Sequence, residues 1–290
     1  MGAIKTIIKQ IGLIVRSVVK LMTFCIIVGI CVFVYARYIE PELLTINEVN
    51  VTAQSLQLGD SLKIVQCSDL HVGPDYDMDH LARVVKKINA LNPDLIVFTG
   101  DLIDNNKSFK QVDETIAILS ELKATFGKYA VAGNHDYGGN GFKNYSKIMK
   151  NSGFKLLINE SSAVTLASGA AINIIGLDDA VWGKVDLQEA MAGIKSKDFN
   201  IVLCHEPDLA DEVAKYPVDL QLSGHSHGGQ VRVPFKGAIL TPPKGHKYIK
   251  GMYEMTDNPR MKLYVNVGIG TSQQRFRFAC VPELTVITLN

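Results

Sequence analysis

After an apolar N-terminal stretch, the apolar residues of this chain follow two different spacing patterns. Short, almost continuous apolar runs at residues 62–67, 95–98 and 129–132 are typical of buried strands. Between them, apolar residues recur at helical spacing around residues 81–88 and 116–122. This alternation predicts parallel strands connected by helices.

The second half of the chain contains more predicted strands than helices. Strands are predicted at residues 171–175, 200–204, 220–223, 230–233, 262–267 and 284–289. Helical patterns at residues 186–194 and 207–215 separate some of these strands. Two sheets packed face to face, with helices outside, fit this order of elements, and no internal repeat divides the region.

The N-terminal stretch has the composition of a membrane span. Residues 21–36 contain no charge, and apolar residues extend back to residue 11 with only Arg16 and Lys20 between. The uncharged part is slightly shorter than the roughly 20 residues that cross hydrocarbon, but Lys20 and Arg37 can lengthen it by snorkelling. We therefore predict a stub and transmembrane helix, or signal anchor, over residues 1–40 and a globular domain over residues 41–290.

The charges that flank this span predict its orientation. Four basic residues precede it and only Arg37 follows closely, so the N-terminus is expected in the cytoplasm and the globular domain outside, in a single-pass protein of the cell membrane. Two alternatives stay open. Residues 34–36 loosely resemble a cleavage site, and cleavage there would give a secreted protein. A buried core helix is the other alternative, which the basic flank disfavours.

Net charge and cysteine content restrict the class of protein further. The chain carries +1 overall, and its first 40 residues carry +4, which leaves −3 for the globular domain. Nucleic acid is therefore an unlikely partner, because it requires a basic face. The five cysteines are an odd number without C-x-x-C spacing, so we expect no structural disulfide. Cys67 and Cys204 end predicted strands and are interpreted as buried thiols, with zinc ligation as the alternative.

Polar clusters follow several of the predicted strands. Asp69 and His71 follow the first, Asp101 follows the second, and residues 134–136 follow the third. In the later half His205 ends a strand, and a glycine-rich loop contains two more histidines, His225 and His227. Open α/β sheets place their ligand sites at the carboxyl ends of strands, so the repetition itself predicts a site.

These donor types predict a metal centre. Imidazole, carboxylate and amide oxygen hold borderline and hard divalent ions, and manganese, iron and zinc all suit the set. Asp69 and His71 are two residues apart, as are His225 and His227, so each pair can point to one side of an extended chain. A two-metal hydrolytic centre is the chemistry that this density of donors favours.

Taken together, the clusters resemble those of the calcineurin-like metallophosphoesterase family over about residues 62–290. The resemblance implies the α/β (α+β) metallophosphoesterase fold, a four-layer α-β-β-α sandwich of two packed mixed sheets. It implies two divalent metal ions, the first held by Asp69, His71, Asp101 and His227, and the second by Asp101, Asn134, His205 and His225. By the same resemblance His135 is the catalytic histidine, and Asp136 orients it through a hydrogen bond.

Residues 224–230 and a C-terminal set at 268–270, 275–276 and 282–284 are similar to a bacterial branch with an N-terminal membrane segment or export signal. Some members of that branch resemble phosphodiesterases that cleave the pyrophosphate of UDP-2,3-diacylglucosamine. The implied activity is hydrolysis of a phosphodiester or pyrophosphate by a metal-bridging hydroxide, on a small-molecule or lipid-linked phosphoester. One departure is Asn105, which follows Asp104 where the family commonly has arginine.

Arg275 and Arg277 alternate with two phenylalanines, so in a strand their guanidinium groups would share a face. They are candidates for clamping a substrate phosphate, although they can also simply solvate an edge. Two other functions stay open: a non-catalytic, metal-stabilised scaffold of the same fold, and a nuclease. No feature of the sequence indicates a protein partner.

Overall fold

Two six-stranded mixed sheets occupy the middle of the domain. The computed structural model describes residues 1–53, 61–104, 107–166 and 168–290. Its strands are β1 (Thr45–Val51), β2 (Leu62–Cys67), β3 (Leu95–Thr99), β4 (Lys128–Val131), β5 (Phe154–Leu156), β6 (Glu160–Thr165), β7 (Ala171–Gly176), β8 (Phe199–Leu203), β9 (Leu220–Ser223), β10 (Arg232–Val233), β11 (Gly237–Ala238), β12 (Gly251–Glu254), β13 (Lys262–Val265) and β14 (Glu283–Leu289).

The first sheet has the order β1-β14-β2-β3-β4-β5, and the second has the order β12-β13-β9-β8-β7-β6. Strands β2 to β5 are parallel, while β14 runs antiparallel to β2 and parallel to β1. Strands β7, β8, β9 and β13 are parallel, with β6 and β12 antiparallel at the two edges. Strands β10 and β11 form a separate hairpin.

Helices cover the outer faces of both sheets. In chain order, the α-helices of the described residues are α1 (Gly2–Val34), α2 (Met78–Ala90), α3 (Val112–Ser120), α4 (Asn134–Tyr137), α5 (Phe142–Asn151), α6 (Leu187–Ala190) and α7 (Ala210–Val213). Helices α2, α3 and α5 pack on the first sheet, and α6 and α7 pack on the second. A third apolar cluster lies between the sheets. The expected four-layer α-β-β-α sandwich is therefore confirmed.

The alternation of side chains between the two faces of each strand explains this layering. In β2, Ile64 packs against the second sheet and Val65 packs against the helices, because successive side chains point to opposite faces. The same division holds in β3, where Val97 faces the second sheet and Phe98 faces the helices. Both faces of the first sheet are thus buried, which accounts for the continuous apolar runs in its sequence.

Two helices are shorter than expected. The pattern at 186–194 yields only α6, and Gly193 lies beyond it in the left-handed region with φ 80°. The pattern at 207–215 yields a 3₁₀ turn at Pro207–Leu209 followed by α7. Strand 230–233 is also reduced to β10, because Gln230 has φ 52° and does not continue a strand.

The N-terminal helix α1 contains 33 residues, and its described side chains are exposed. The segment Ile4–Glu42 is long and apolar enough to cross a membrane. A π-helical turn at Tyr35–Ile39 follows α1, in the region where the chain comes into contact with the domain. The carboxylate of Glu40 is buried and accepts hydrogen bonds from the backbone amides of Ala279 and Cys280. The division at residue 40 stays a prediction, and the contacts with the domain begin just before it.

Arg275 and Arg277 do not lie on one strand face, and this expectation is wrong. Residues 275–277 form no strand. Arg277 is fully buried and donates hydrogen bonds to the carbonyl groups of Val267, Gly268, Gly270 and Cys280. Its guanidinium group therefore ties together the C-terminal loops and is not accessible to a phosphate. Arg275 pairs with Glu42 at the end of the apolar segment Ile4–Glu42.

Replacing Arg277 with methionine should destabilise the domain. The change leaves four buried carbonyl groups with fewer donors, at a cost of about 3 kcal/mol. For a domain of this size we expect the melting temperature to fall by about 6–12 °C. Arg275→Met is the matched control, because its partly exposed ion pair contributes less than about 1 kcal/mol. Equal shifts for the two variants would contradict the structural role of Arg277.

Candidate metal centre

The polar clusters lie at the carboxyl ends of parallel strands in both sheets. Strands β2, β3 and β4 of the first sheet lead to Asp69 and His71, to Asp101, and to Asn134. Strands β8 and β9 of the second sheet lead to His205 and to the loop with His225 and His227. Because the sheets pack face to face, these ends meet at one edge of the sandwich.

A first group of donors comprises Asp69, His71 and His227. The Nε2 atoms of the two histidines are 3.0 Å apart, and Asp69 Oδ1 lies 3.3 Å from His227 Nε2. All three side chains are nearly inaccessible to solvent. Three donor atoms therefore converge on one point inside the protein.

A second group comprises Asp101, His205 and His225. His205 Nε2 lies 3.2 Å from Asp101 Oδ2 and 3.2 Å from His225 Nδ1. The same Asp101 oxygen lies 3.6 Å from His71 Nε2 in the first group. The carboxylate of Asp101 therefore stands between the two groups, where it can bridge two ions.

The donors fit divalent metal ions. With bonds of about 2.0–2.2 Å, two ligands of one ion lie on the order of 3 Å apart, as these atoms do. Asn134 Oδ1 is buried without a hydrogen-bond partner among the described residues, and Asn134 directly follows Gly133, which lies against His205 and Asp101 of the second group. Burial lowers the pKa of His225 to about 4 and holds the pKa of His227 well below its usual value. Both imidazoles are therefore neutral at neutral pH, which is the form that binds metal.

Most of these candidate metal-ligand residues have a strained backbone conformation. Left-handed φ angles occur at Asp69, His71, Asp101, His225 and His227, between 46° and 67°. Such angles are uncommon outside glycine and cluster at functional sites, because the surrounding structure must enforce them. Close packing around the two donor groups enforces these angles.

Gly133 shows how close this packing is. A Cβ atom on Gly133 would lie 2.7 Å from His205 Nε2, and it would also collide with Asp101. The chain after β4 must therefore pass directly beside the second group of donors, and only glycine leaves the space.

His135 lies beside both groups and is held by other contacts than expected. Its backbone amide donates to Asp101 Oδ1 at 2.8 Å, and its ring Nδ1 lies 3.0 Å from the carbonyl oxygen of Asp104. Its Nε2 lies 3.4 Å from Ser272 Oγ. The carboxyl group of Asp104 also lies near the rings of His71 and His135, as a third possible donor group.

Asp136 does not orient the imidazole of His135 through the expected hydrogen bond. Its carboxylate accepts from the backbone amides of Asp101, Leu102 and Gly133, at 2.8 to 2.9 Å. Asp136 therefore fixes the loops after β3 and β4 relative to each other. Burial and the charge of Asp101 raise the pKa of Asp136 to about 7.

The cysteines are not part of either group within the described residues. Burial raises the pKa of the Cys67 thiol to about 12 and that of Cys204 well above its usual value. Both are therefore protonated at neutral pH and unsuited to zinc. The departure at Asn105 lies outside the described residues.

Three contacts at the site had no signal in the sequence. Ser272 reaches His135 from a loop 137 residues away. The carbonyl oxygen of Thr99 lies 2.6 Å from His205 Nδ1, and that of Pro243 lies 2.9 Å from His225 Nε2. These carbonyl oxygens accept a hydrogen bond from one ring N–H and leave the other nitrogen of each histidine for a metal. Backbone acceptors carry no residue-type preference, so no motif reports them.

Comparison with known proteins agrees with this geometry. The model of the calcineurin-like phosphoesterase family matches residues 62–229. The metallophosphoesterase YkuE of Bacillus subtilis is 42% identical over 256 residues, which cover 88% of each chain. The UDP-2,3-diacylglucosamine pyrophosphatase LpxG of Chlamydia trachomatis is 28% identical over 92% of this chain and 95% of its own.

A transmembrane protein with a metallophosphoesterase domain from Bos taurus is 29% identical over 86% of this chain and 57% of its own. The family model covers more than half of the chain, and the candidate metal donors that converge at one edge of the sheets lie within the matched residues. The chain belongs to the calcineurin-like phosphoesterase family, whose members hydrolyse phosphoesters at a dinuclear metal centre.

Proposed function

We propose that this protein is a membrane-anchored phosphodiesterase that hydrolyses a phosphodiester or pyrophosphate bond outside the cytoplasmic membrane. The observation that carries the proposal is the position of Asp101 between two groups of buried donors, with His135 directly beside it. A scaffold needs only the donors of the two groups, whereas His135 adds an imidazole in neither of them, beside Asp101, and an imidazole is the side chain that most often serves as a proton donor.

The ligand sets follow the two groups. Asp69, His71, Asp101 and His227 would hold one ion, and Asp101, Asn134, His205 and His225 the other. Manganese, iron or zinc would suit these nitrogen and oxygen donors. When bound, the two ions polarise the phosphoryl oxygens and supply a nucleophilic water at neutral pH. Two carboxylates leave two dications with a net positive charge, which favours binding of an anionic phosphate.

The protein groups around the centre position and protonate the substrate. The Asp104 carbonyl oxygen accepts a hydrogen bond from His135 Nδ1, which leaves Nε2 directed toward Ser272 and the site. A protonated Nε2 can give its proton to the departing oxygen as the phosphorus–oxygen bond breaks. Asp136 acts at a distance, because it holds the amides of the two loops that present Asp101 and Asn134.

The N-terminal helix and two relatives support the substrate class. Segment Ile4–Glu42 is long enough to span a bilayer, and the bovine relative is named a transmembrane protein. LpxG is named for hydrolysis of UDP-2,3-diacylglucosamine, a lipid-linked pyrophosphate. We infer that this protein also acts on a lipid- or envelope-linked substrate, such as UDP-2,3-diacylglucosamine.

Replacing His135 with alanine should remove hydrolysis and leave the metals in place. We expect turnover of bis-p-nitrophenyl phosphate by the manganese-loaded enzyme to fall about 10²–10⁴-fold, because the proton donor is lost. Elemental analysis should still find two ions per chain. His80→Ala is the matched control, since the His80 ring bonds to Asp77 and Glu42 and lies outside the site. Equal turnover by wild type and His135→Ala would contradict catalysis by this site.

Replacing Asp101 with alanine should remove both metals, because the shared ligand is lost. Asp69→Ala should affect mainly one ion, since Asp69 belongs to the first group alone. The measurement is metal content after dialysis, with circular dichroism to confirm that each variant is folded. Asp113→Ala, on an exposed helix position, serves as the control and should retain two ions. Two ions retained in folded Asp101→Ala would exclude the bridge.

The orientation of the domain can be tested by protease protection. We expect the full-length protein to sediment with membranes, and a tag placed after Asn290 to be cleaved by protease added to intact spheroplasts. A tag placed before Met1 should be cleaved only after the cells are opened. The reverse pattern would place the metal centre in the cytoplasm, and release of the protein into the medium would indicate cleavage of the N-terminal segment.

A further inference from the structure

The membrane segment joins the domain at the same edge as the metal centre. Strand β1 runs antiparallel to β2, through its parallel pairing with β14, so β1 begins where β2 ends. The chain from α1 therefore enters at the edge that presents the metal donors. Near this entry Phe33 packs against Phe276, with ring centres 5.4 Å apart, and the carbonyl oxygen of Ala36 accepts from the amide of Arg277.

The hairpin of β10 and β11 lies next to this entry. The amide of Arg232 donates to the carbonyl oxygen of Phe278 at 2.9 Å, and the amide of Phe278 donates to the carbonyl oxygen of Gln230. The ring of Phe278 in turn packs edge-on against Tyr35, at the end of α1. Phe278 thus contacts the membrane helix on one side and the hairpin on the other. The hairpin directly follows His225 and His227 in the chain.

The hairpin segment, residues 231–240, exposes apolar side chains that the core does not use. Phe235 at its turn is fully exposed, Leu240 is 80% exposed, and Ile239 is 57% exposed. A cluster of exposed large apolar residues in one short segment usually marks an interaction surface. The hairpin segment contains two basic residues and no acidic residue, and residues 241–250 after it add three lysines and again no acidic residue. Lys247 among them pairs with Asp211, whereas Arg232 and Lys236 flank the apolar turn.

We propose that the hairpin segment is a lipid-binding surface that inserts Phe235 and Leu240 into the bilayer that α1 spans. Apolar side chains at the tip with cations at the base suit an interface of acyl chains and anionic headgroups. Continuity with the helix end, through Phe278, favours lipid over a protein partner. The inference rests on the proposed membrane span. Because the metal donors lie at the same edge, such a surface would bring the metal centre close to the bilayer, where an amphiphilic phosphodiester can reach it.

The test uses fluorescence in the full-length protein. Trp182 is the single tryptophan, so Trp182→Phe gives a background without this signal. Phe235→Trp in that background reports on the hairpin, and Lys197→Trp is the matched control, because residue 197 precedes β8 at the opposite edge of the sheet. Both proteins are reconstituted in nanodiscs of phosphatidylcholine and phosphatidylglycerol, with and without bromine on the acyl chains.

Brominated lipid should reduce the emission of the Phe235→Trp protein by about twofold, because an interfacial side chain lies ~5–10 Å deep, and should leave that of the Lys197→Trp protein unchanged. Equal emission of the Phe235→Trp protein in both lipids would overturn the proposal. Concentration-dependent self-association that is lost in Phe235→Ser would also overturn it, in favour of a second copy of the chain. Turnover of bis-p-nitrophenyl phosphate by the same samples tests the proposed activity separately, so the two failures are distinguishable.

Discussion

The carboxylate of Asp101 joins the two sheets at the metal centre. One of its oxygens lies between His71, from the first sheet, and His205, from the second, while the other accepts the amide of His135. Its own amide is held by Asp136, and its backbone is left-handed. Moving this one side chain would disturb both donor groups and the proposed proton donor together. The relative placement of the two sheets is therefore a condition for the chemistry as well as for packing.

Burial of the metal donors lowers the stability of the protein unless metal ions or other partners bind to them. Charged and polar side chains at the centre are almost fully buried, and burial of such groups is unfavourable without partners. The imidazoles of His71 and His227 face each other with their Nε2 atoms at hydrogen-bond distance, and among the described residues each Nδ1 lies buried without a hydrogen-bond partner. Metal binding at Nε2 would relieve the contact between these two facing nitrogen atoms, so the binding energy of the ions would contribute to stability as well as to catalysis.

The sequence predicts the parts of the site that come from local pattern. Apolar runs that end in polar residues identify β2, β3 and β8 and the donors after them, because strand burial and strand ends both leave a signal in nearby residue types. The roles expected for Arg277 and Asp136 are wrong for the opposite reason. Arg277 bonds to carbonyl groups and Asp136 bonds to amides, and backbone partners have no signature in the sequence. Helices α6 and α7 are shorter than predicted because apolar spacing does not report where a turn must end a helix.

At the five donor residues with a left-handed backbone, the residue type that would be most stable for the fold differs from the type that binds metal. Each of these positions would be less strained as glycine, which adopts such angles without penalty, yet glycine has no side-chain donor atom. A change such as His225→Gly would thus relax the metal-free chain while removing a ligand. The ligand residues are therefore positions where selection for a more stable fold, acting alone, would erase the site.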